Sequence, residues 1–398
     1  MTSWLDTIVE QHAESESPRN YWYWSAMAAM SAVIKDKIWM DRHYYKLYPN
    51  IYVMLFGPSG IKKGPPVNMA RKLVDQINNT RVINGRSSIQ GILKKLGEAE
   101  TKPGGHIINT SCGFICSSEM ASSVVEDKAF MTILTDVYDR NYRDGQWESL
   151  LKGESFKLKD VTVTLLGAVN QAHSDALFTK TDINGGFFAR TFFINESKPQ
   201  RRNSLMYAPS IIPDYKQLSQ HLRALSQLSG EIICTDDAKQ FMDSWYNNFW
   251  ENIDSQGYED PTGTINRYQD SVLKVAILMS LAKSTNLVVE RAEIESAIHY
   301  CERLIGNVRK ATLGIGNAVL GNQKKIAIME LVDRPNHMIS RAQLHKKFWM
   351  HGSLSEWNEI MEQLVIAGII NAETMGNQLV YRMNDEQING WQRHFEGK

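Results

Sequence analysis

A segment rich in glycine and lysine, placed between an apolar run and a helical pattern, is the clearest chemical feature of the sequence. Residues 57–64 read Gly-Pro-Ser-Gly-Ile-Lys-Lys-Gly and follow a strand-like run over 51–56. A loop in this position points backbone N–H groups at an anion, and the dipole of the following helix favours negative charge. The segment therefore predicts a phosphate-binding loop that uses six residues: Gly57, Ser59, Gly60, Lys62, Lys63 and Gly64.

The loop departs from the usual signature G-x-x-x-x-G-K-[ST] at two positions. Gly57 and Lys63 have the required separation, but Lys62 stands where the second glycine is expected, and Gly64 replaces the serine or threonine. The missing hydroxyl is a usual ligand of Mg²⁺, so water or another side chain would have to replace it. An ordinary glycine turn with two surface lysines is the alternative to nucleotide binding.

Three polar residues beside other predicted strands could complete a hydrolytic site. Glu119 follows one apolar strand, Asn170 follows the next, and Arg190 leads into the last one. A carboxylate can act on the attacking water, a polar side chain at a strand tip can position it, and an arginine from a neighbouring subunit can stabilise transition-state charge. The alternatives are a charge at a helix N-terminus for Glu119, a loop cap for Asn170 and a surface salt bridge for Arg190.

Short apolar runs that alternate with helical stretches position these groups. The predicted strands lie at 51–56, 113–117, 161–169 and 187–195. Strands separated by helices favour an α/β fold with a parallel sheet. The predicted organisation is a helical N-terminal segment over 1–50, a P-loop core over 51–205, a helical lid region over 206–320 and a winged-helix domain over 325–398.

The winged-helix prediction for the C-terminal segment comes from three helical patterns followed by two strands that a tight turn joins. The third helical pattern carries glutamates and no lysine or arginine, which argues against strong DNA docking by that face. The preceding helical pattern carries a basic patch, formed by Arg341, Lys346 and Lys347. DNA binding and a protein-contact or regulatory role both remain open for this domain.

Composition limits the classes of function. The 398 residues carry a formal net charge of zero, so any DNA contact must come from local basic patches or from an oligomer that pools them. No apolar run approaches the roughly 18 residues needed to span a bilayer, and the first residues lack a signal-peptide pattern. We therefore expect a cytoplasmic protein with no membrane partner and with four reduced thiols, at Cys112, Cys116, Cys234 and Cys301.

The order and spacing of five segments resemble the AAA+ ATPases of phages and mobile elements. These helicase or primase-helicase proteins are similar in turn to the minichromosome-maintenance helicases. The segments are Tyr-Pro-Asn-Ile-Tyr (48–52), the glycine-lysine loop (57–64), Ser-Glu-Met (118–120), Gly-Ala-Val-Asn (167–170) and Gly-Gly-Phe-Phe-Ala-Arg (185–190). The resemblance covers residues 1–310. It implies an AAA+ core, ATP and Mg²⁺ as cofactors, and a hexameric or similar ring around single- or double-stranded DNA.

The resemblance also implies roles for individual residues. Lys63 would bind the β- and γ-phosphates, and Glu119 would be the glutamate of the acidic strand. Asn170 would be the first sensor, Arg190 the arginine finger and Arg267 the second sensor. Such helicases carry a DNA-directed hairpin before the first sensor strand, and residues 145–159 occupy that place. Its lysines would track phosphates without reading sequence, although a solvated loop is the alternative. These lysines are Lys152, Lys157 and Lys159.

The resulting expectation is an ATP-dependent DNA helicase or translocase of a phage or mobile element, which acts as an oligomeric ring in DNA replication. Two alternatives stay open. An ATP-switched helicase loader or replication initiator would bind DNA or a host helicase without unwinding. A decayed ATPase scaffold would serve protein interaction and would not bind nucleotide.

Overall fold

The computed structural model divides the chain into two compact units, Met1–Thr312 and Leu313–Lys398. The large sheet, the N-terminal helices and the helices between residues 206 and 312 belong to the first unit. The residues that the structure describes are 2–84, 88–102, 104–105, 107–120, 129–140, 145–151, 154–170, 186–204, 206, 209–255, 262–314, 327–334, 336–348, 354–366, 368–376, 378–384 and 388.

Helices surround the sheet of the first unit. They are α1 (Trp4–Gln11), α2 (Arg19–Ile34), α3 (Gly64–Asp75), α4 (Ile89–Gly97), α5 (Phe130–Asp136), α6 (Tyr215–Gln227), α7 (Asp236–Ser255), α8 (Tyr268–Lys283) and α9 (Arg291–Gly314). Helix α2 is buried on every side from Tyr21 to Ile34 because it packs against α1, α3, α6 and the sheet. The region predicted as a helical lid contains α6 to α9.

The strands of the first unit form one large sheet and several short pairs. They are β1 (Ile38–Asp41), β2 (Lys46–Leu47), β3 (Tyr52–Gly57), β4 (Val82–Asn84), β5 (Glu100–Thr101), β6 (Ile107–Ile108), β7 (Cys112–Ser117), β8 (Gln146–Leu151), β9 (Glu154–Lys159), β10 (Thr162–Asn170), β11 (Thr191–Asn195), β12 (Gly230–Glu231), β13 (Ile233–Cys234) and β14 (Val288–Val289). The prediction that residues 1–50 are helical is wrong over 38–47, where β1 and β2 pair in antiparallel register.

Five parallel strands form the large sheet in the spatial order β11-β3-β10-β7-β4. The strands are almost continuously buried, as a parallel sheet with both faces covered requires. The chain leaves β3 towards β4 and leaves β10 towards β11, so these neighbouring strands send the chain in opposite directions along the sheet. The carboxyl ends of β3 and β10 therefore mark a topological switch point, where α/β sheets bind ligands.

The predicted α/β fold with a parallel sheet is confirmed, and the differences from the predicted strands are local. Strand β4 was not predicted because it is only three residues long. The strand expected over 187–195 begins at Thr191, since residues Phe188–Arg190 form a 3-10 turn. Helix α3 begins at Gly64, directly after the loop, because prolines are accepted in the first turn of a helix.

The second unit contains a helix over 327–333 and helices α10 (Arg341–Phe348) and α11 (Leu354–Ile366). Strands β15 (Met338–Ser340), β16 (Ile370–Met375) and β17 (Gln378–Met383) form an antiparallel sheet in the order β15-β17-β16. Its core is built around the fully buried Trp357. The Ser340 hydroxyl accepts a hydrogen bond from the Gln343 amide at 3.2 Å and so caps the first turn of α10.

All four cysteines are free thiols, and three of them are buried. Burial raises the pKa of the Cys116 thiol to about 12, so it is not a nucleophile near neutral pH. In the part of the chain that the structure describes, no helix is both long and apolar enough to cross a bilayer. Nor do three or more His, Cys, Asp or Glu side chains there form a group that could hold a metal ion.

Candidate functional site

The predicted phosphate loop connects β3 to α3 at the carboxyl edge of the large sheet. Gly57 ends β3 and lies level with Asn170, the last residue of β10. Lys63 occupies the N-cap position of α3, and no side chain caps the helix. The strand, the loop and the helix predicted from the sequence are therefore present in that order. They lie at the switch point between β3 and β10.

The backbone of Lys62 adopts a left-handed conformation, with φ at +62°. Non-glycine residues enter this region at a cost of roughly 1–2 kcal/mol, since the Cβ atom approaches the following carbonyl oxygen. Gly60 is also left-handed, with φ at +83°. Position 62 is where the phosphate-loop signature has its second glycine. The loop thus keeps the backbone shape that the signature glycine serves, although the side chain differs.

The connection between α1 and α2 holds the loop in this shape. The fully buried Ser17 donates its hydroxyl to the Lys62 carbonyl oxygen at 2.6 Å. The Lys62 ammonium lies 4.0 Å from a carboxylate oxygen of Glu16. The Tyr21 hydroxyl donates to the Phe56 carbonyl oxygen at the end of β3. These contacts explain how a lysine is retained in a conformation that favours glycine.

Gly57 has no room for a side chain. A Cβ atom built on this residue would lie 2.6 Å from the Glu196 carbonyl oxygen and 2.6 Å from the Tyr21 hydroxyl. Both neighbours are fixed, because the Glu196 amide donates to the Phe56 carbonyl oxygen at 3.1 Å and the Glu196 side chain accepts from Asn20 at 2.6 Å. The first glycine of the loop is therefore required by packing.

The Lys63 ammonium folds across the loop. It donates to the carbonyl oxygens of Gly57 and Pro58, at 2.8 Å each. Partial burial lowers the pKa of this ammonium. A phosphate oxygen that entered the loop would compete with the two carbonyls for the same donor.

Prolines limit the donors that the loop can offer to a phosphate. Pro58 lies in the loop, and Pro65 and Pro66 occupy the second and third positions of α3. None of the three has a backbone N–H, so the usual donors of a first helical turn are reduced. The backbone N–H groups from Ser59 to Gly64 and the lysine side chains would have to stabilise the negative charge of a phosphate.

Glu119 lies at the same edge of the sheet as the loop, two residues beyond the end of β7. Ser117 and Met54 both lie level with Gly167 of the intervening strand β10. Glu119 is thus two strand spacings from the end of β3, which is about 10 Å. The Met120 amide donates to the Ala168 carbonyl oxygen at 3.0 Å and fixes the segment against β10. The exposed Glu119, the half-buried Asn170 and the loop therefore surround one region of the carboxyl edge.

The two predicted arginines, Arg190 and Arg267, lie together near the amino ends of the parallel strands, whereas the phosphate loop lies at their carboxyl ends. Arg190 precedes Thr191, which is level with Tyr52 at the start of β3. Gly57 is five residues further along β3, and this corresponds to roughly 17 Å. Arg267 binds the same carboxylate as Arg190, so it lies equally far from the loop. At this distance neither arginine can reach the phosphate loop of its own chain.

Asp139 is that shared carboxylate. Arg190 donates to its Oδ2 atom from Nη2 at 2.6 Å and from Nε at 3.1 Å. Arg267 approaches through Nη1, at 2.9 Å from Oδ2 and 3.1 Å from Oδ1. The salt bridge considered for Arg190 is therefore present, although it is largely buried rather than on the surface.

A cleft of about 470 Å³ lies beside Asp139, between the β1–β2 hairpin, the start of β3 and helix α8. On its floor, the buried Lys274 donates to the Asn50 carbonyl oxygen at 3.0 Å and to the Asn50 side-chain oxygen at 2.9 Å. Its ammonium also lies 3.8 Å from the centre of the Tyr138 ring. Burial lowers the pKa of Lys274 to about 7. Lys274 is not among the site residues predicted above, although a lysine within the otherwise apolar middle of α8 is a usable signal.

The hairpin predicted over 145–159 is present as strands β8 and β9. Lys157 forms an ion pair with Glu148 across the two strands, at 3.1 Å, so part of its charge is balanced within the hairpin. Lys159 is exposed at the base of the hairpin. Lys152 lies outside the described residues.

The basic patch of the second unit lies on α10. Arg341 and Lys346 are exposed, whereas Lys347 forms an ion pair with Glu330 of the preceding helix. Helix α11 presents exposed carboxylates at Glu359 and Glu362. The charge distribution predicted for these two helices is therefore found in the fold.

No protein-family model matches the chain, and no curated protein is significantly similar to it in sequence. The fold places it among α/β proteins with a five-stranded parallel sheet. The arguments for its function therefore come from the geometry of its own residues.

The left-handed backbone at Lys62 leads to a prediction about stability. We expect Lys62→Gly to be more stable than Lys62→Ala by about 1 kcal/mol, because both remove the ammonium but only glycine relieves the strained φ. Urea unfolding of the two variants measures the difference in the free energy of unfolding. Equal stabilities would show that the loop does not hold position 62 in the left-handed region.

Proposed function

We propose that the chain binds ATP at residues 57–64 and hydrolyses it as a ring-forming P-loop ATPase of the AAA+ type. One observation carries the proposal. The backbone at Lys62, where the signature has its second glycine, takes a left-handed conformation that favours glycine, while the next residue, Lys63, folds its ammonium across the loop. An ordinary glycine turn has no need for this combination. An anion-binding loop needs both its curvature and its cation.

The groups for hydrolysis are those at the carboxyl edge. Glu119 would accept a proton from the attacking water or orient it, and Asn170, level with Gly57, would position that water near the γ-phosphate. Mg²⁺ would neutralise charge on the β- and γ-phosphates. The Ser59 hydroxyl and the Glu119 carboxylate are oxygen donors of the kind that Mg²⁺ prefers, directly or through water, since Gly64 provides no side chain.

The position of the arginines supports the proposed ring. Arg190 and Arg267 lie roughly 17 Å from the phosphate loop of their own chain, measured along β3. If one of these two arginines stabilises charge on the γ-phosphate, it must therefore come from another copy. Repetition of such a head-to-tail contact gives a ring when the rotation between copies closes and an open filament when it does not, and a hexamer or a similar ring is the assembly that we propose.

DNA in the centre of the ring is the proposed substrate of the motor. One chain has no net charge, but a ring would bring several β8–β9 hairpins together and pool lysines such as Lys157 and Lys159. The second unit would be a winged helix, whose exposed Arg341 and Lys346 could contact DNA or another replication protein. We therefore propose an ATP-dependent helicase or translocase of a phage or mobile element, active in the cytoplasm.

One observation favours the helicase loader as a second candidate. Gly64 provides no hydroxyl for Mg²⁺, and Pro65 and Pro66 remove two amide donors from the first turn of α3. Slow hydrolysis with intact binding would make ATP a switch for a loader or initiator. The scaffold without nucleotide is the remaining alternative, and a direct binding measurement separates it from both.

Assembly tests the ring directly. We expect the purified chain to form a ring of defined copy number when ATP and Mg²⁺ are added, because the nucleotide would link the loop of one copy to the arginines of the next. Native mass spectrometry or multi-angle light scattering, with and without the non-hydrolysed analogue AMP-PNP, gives the copy number. A chain that stays monomeric with the analogue bound would contradict the ring.

A further inference from the structure

We propose that Arg267, and not Arg190, is the arginine that contacts the γ-phosphate of ATP bound to a neighbouring copy, and that Asp139 and Arg190 position it. The inference rests on the proposed function, since it needs a nucleotide at the loop of a second copy. It assigns a catalytic contact to Arg267 and supporting roles to the other two side chains.

Each of the three guanidinium nitrogens of Arg190 is already bonded within its own chain. Nε and Nη2 donate to Asp139, and Nη1 donates to the Gly186 carbonyl oxygen at 3.0 Å. Only 11% of its side chain is exposed. To reach another molecule, Arg190 would have to break a largely buried ion pair and leave Asp139 without this partner, which is strongly unfavourable. These contacts suit a residue that anchors the Asp139 carboxylate.

Arg267 is in a different situation. Its side chain is 33% exposed and lines the cleft. Among the described residues, its guanidinium bonds only Asp139, and it does so through Nη1. A guanidinium has five N–H donors, so a second anion can bind while the bond to Asp139 is kept. Asp139 would then fix the direction of Arg267, in the way that a second partner commonly orients a functional side chain.

The cleft is suited to receive a phosphate. Its lining carries two cationic side chains that reach the surface, Lys46 and Arg267, whereas Lys274 is buried on the floor. Its volume of about 470 Å³ lies within the range of small-molecule sites, roughly 300–1,000 Å³. Lys46 and the unused donors of Arg267 therefore offer partners to an anion at the mouth of the cleft.

A second copy of this chain is the occupant that the geometry favours. Tyr44 lines the cleft with 98% of its surface exposed, so this wall is open to a partner molecule. The phosphate loop and the cleft lie at opposite edges of one sheet, and a head-to-tail contact would bring the loop of one copy to the cleft of the next. The terminal phosphate of the bound nucleotide is then the anion that meets Arg267.

Single substitutions distinguish the roles of the three residues. We expect Arg267→Gln to keep ATP affinity and thermal stability but to lower kcat by about a thousandfold, as for the loss of other trans-acting arginines. Asp139→Asn is expected to lower kcat by up to about a hundredfold with KM unchanged, because Arg267 loses its orientation. Arg190→Gln is expected to lower the Tm, which Arg267→Gln leaves unchanged. A kcat for Arg267→Gln within twofold of the unmodified chain, or a rise in kcat for Asp139→Asn, would overturn the inference.

Mixed assemblies test whether the contact runs between copies. Lys63→Ala lacks the proposed ATP site but keeps Arg267, whereas Arg267→Gln keeps the ATP site. Each variant alone is expected to be inactive, and a mixture of the two is expected to regain hydrolysis at interfaces that combine an intact loop with an intact Arg267. The matched control mixes Arg267→Gln with the double variant Lys63→Ala/Arg267→Gln and is expected to stay inactive.

The possible failures are distinguishable. If the unmodified chain neither binds nor hydrolyses ATP, the proposed function itself is wrong. If the unmodified chain is active but the mixture of Lys63→Ala and Arg267→Gln regains nothing, only the contact between copies is wrong. Melting curves and ATP titrations of each variant show that the substituted chains are folded.

Discussion

Replacement of Lys63 by alanine is expected to abolish ATP binding at micromolar nucleotide and to leave the fold intact. The ammonium lies 2.8 Å from two loop carbonyls and would exchange these bonds for phosphate oxygens. A hydrogen bond to a charged group contributes about 1.5–3 kcal/mol, so the loss of two such bonds lowers the affinity by roughly a hundredfold or more. Isothermal titration calorimetry with ATP and Mg²⁺ gives the dissociation constant, and a thermal melt checks the fold.

Lys62→Ala is the matched control for this experiment. Both residues are lysines of the same loop, but the Lys62 side chain is 55% exposed and pairs weakly with Glu16. We expect this variant to lose less than about tenfold in affinity, because a solvated ammonium interacts weakly with an anion. If Lys63→Ala binds ATP as tightly as the unmodified chain, residues 57–64 are not the nucleotide site.

Substitution of Glu119 by glutamine is expected to cause a large loss of turnover without a loss of binding. The amide keeps the size of the side chain but cannot accept the proton of the attacking water. The contribution of such a base is about 10²–10⁴-fold in rate. Steady-state phosphate release measures the turnover, and the calorimetric titration measures the binding.

Glu98→Gln provides the control for the loss of a carboxylate. Glu98 is an exposed glutamate that follows α4 and pairs with Lys94 at 4.0 Å. We expect this variant to hydrolyse ATP at the unmodified rate. Unchanged turnover in Glu119→Gln would remove Glu119 from the catalytic role and leave the carboxyl edge without its proposed base.

The parts of the fold that the sequence predicted depend on local patterns. Strands β3, β7 and β10 are long apolar runs, and a run of this kind is buried whatever fold the chain adopts. The phosphate loop is one continuous segment, so Gly57 and Lys63, which are close in the sequence, are also close in the structure. The cap at Ser340 and the hairpin of β16 and β17 also follow from neighbouring residues.

Other features depend on contacts between distant segments and have no local signal. Asp139 binds two arginines that lie 51 and 128 residues away in the chain, so no spacing pattern indicates it. Strand β4 is short, and only its pairing with β7 makes it a strand. The left-handed Lys62 is held by Ser17, 45 residues earlier, and propensity alone would assign that conformation to glycine.

The rate of ATP hydrolysis by the purified chain, measured with and without single-stranded DNA, tests whether the chain is a DNA-dependent motor. We expect hydrolysis that rises when DNA is added, because the nucleotide site and the DNA would act in one ring. Hydrolysis that is absent under both conditions, or that does not respond to DNA, would contradict it.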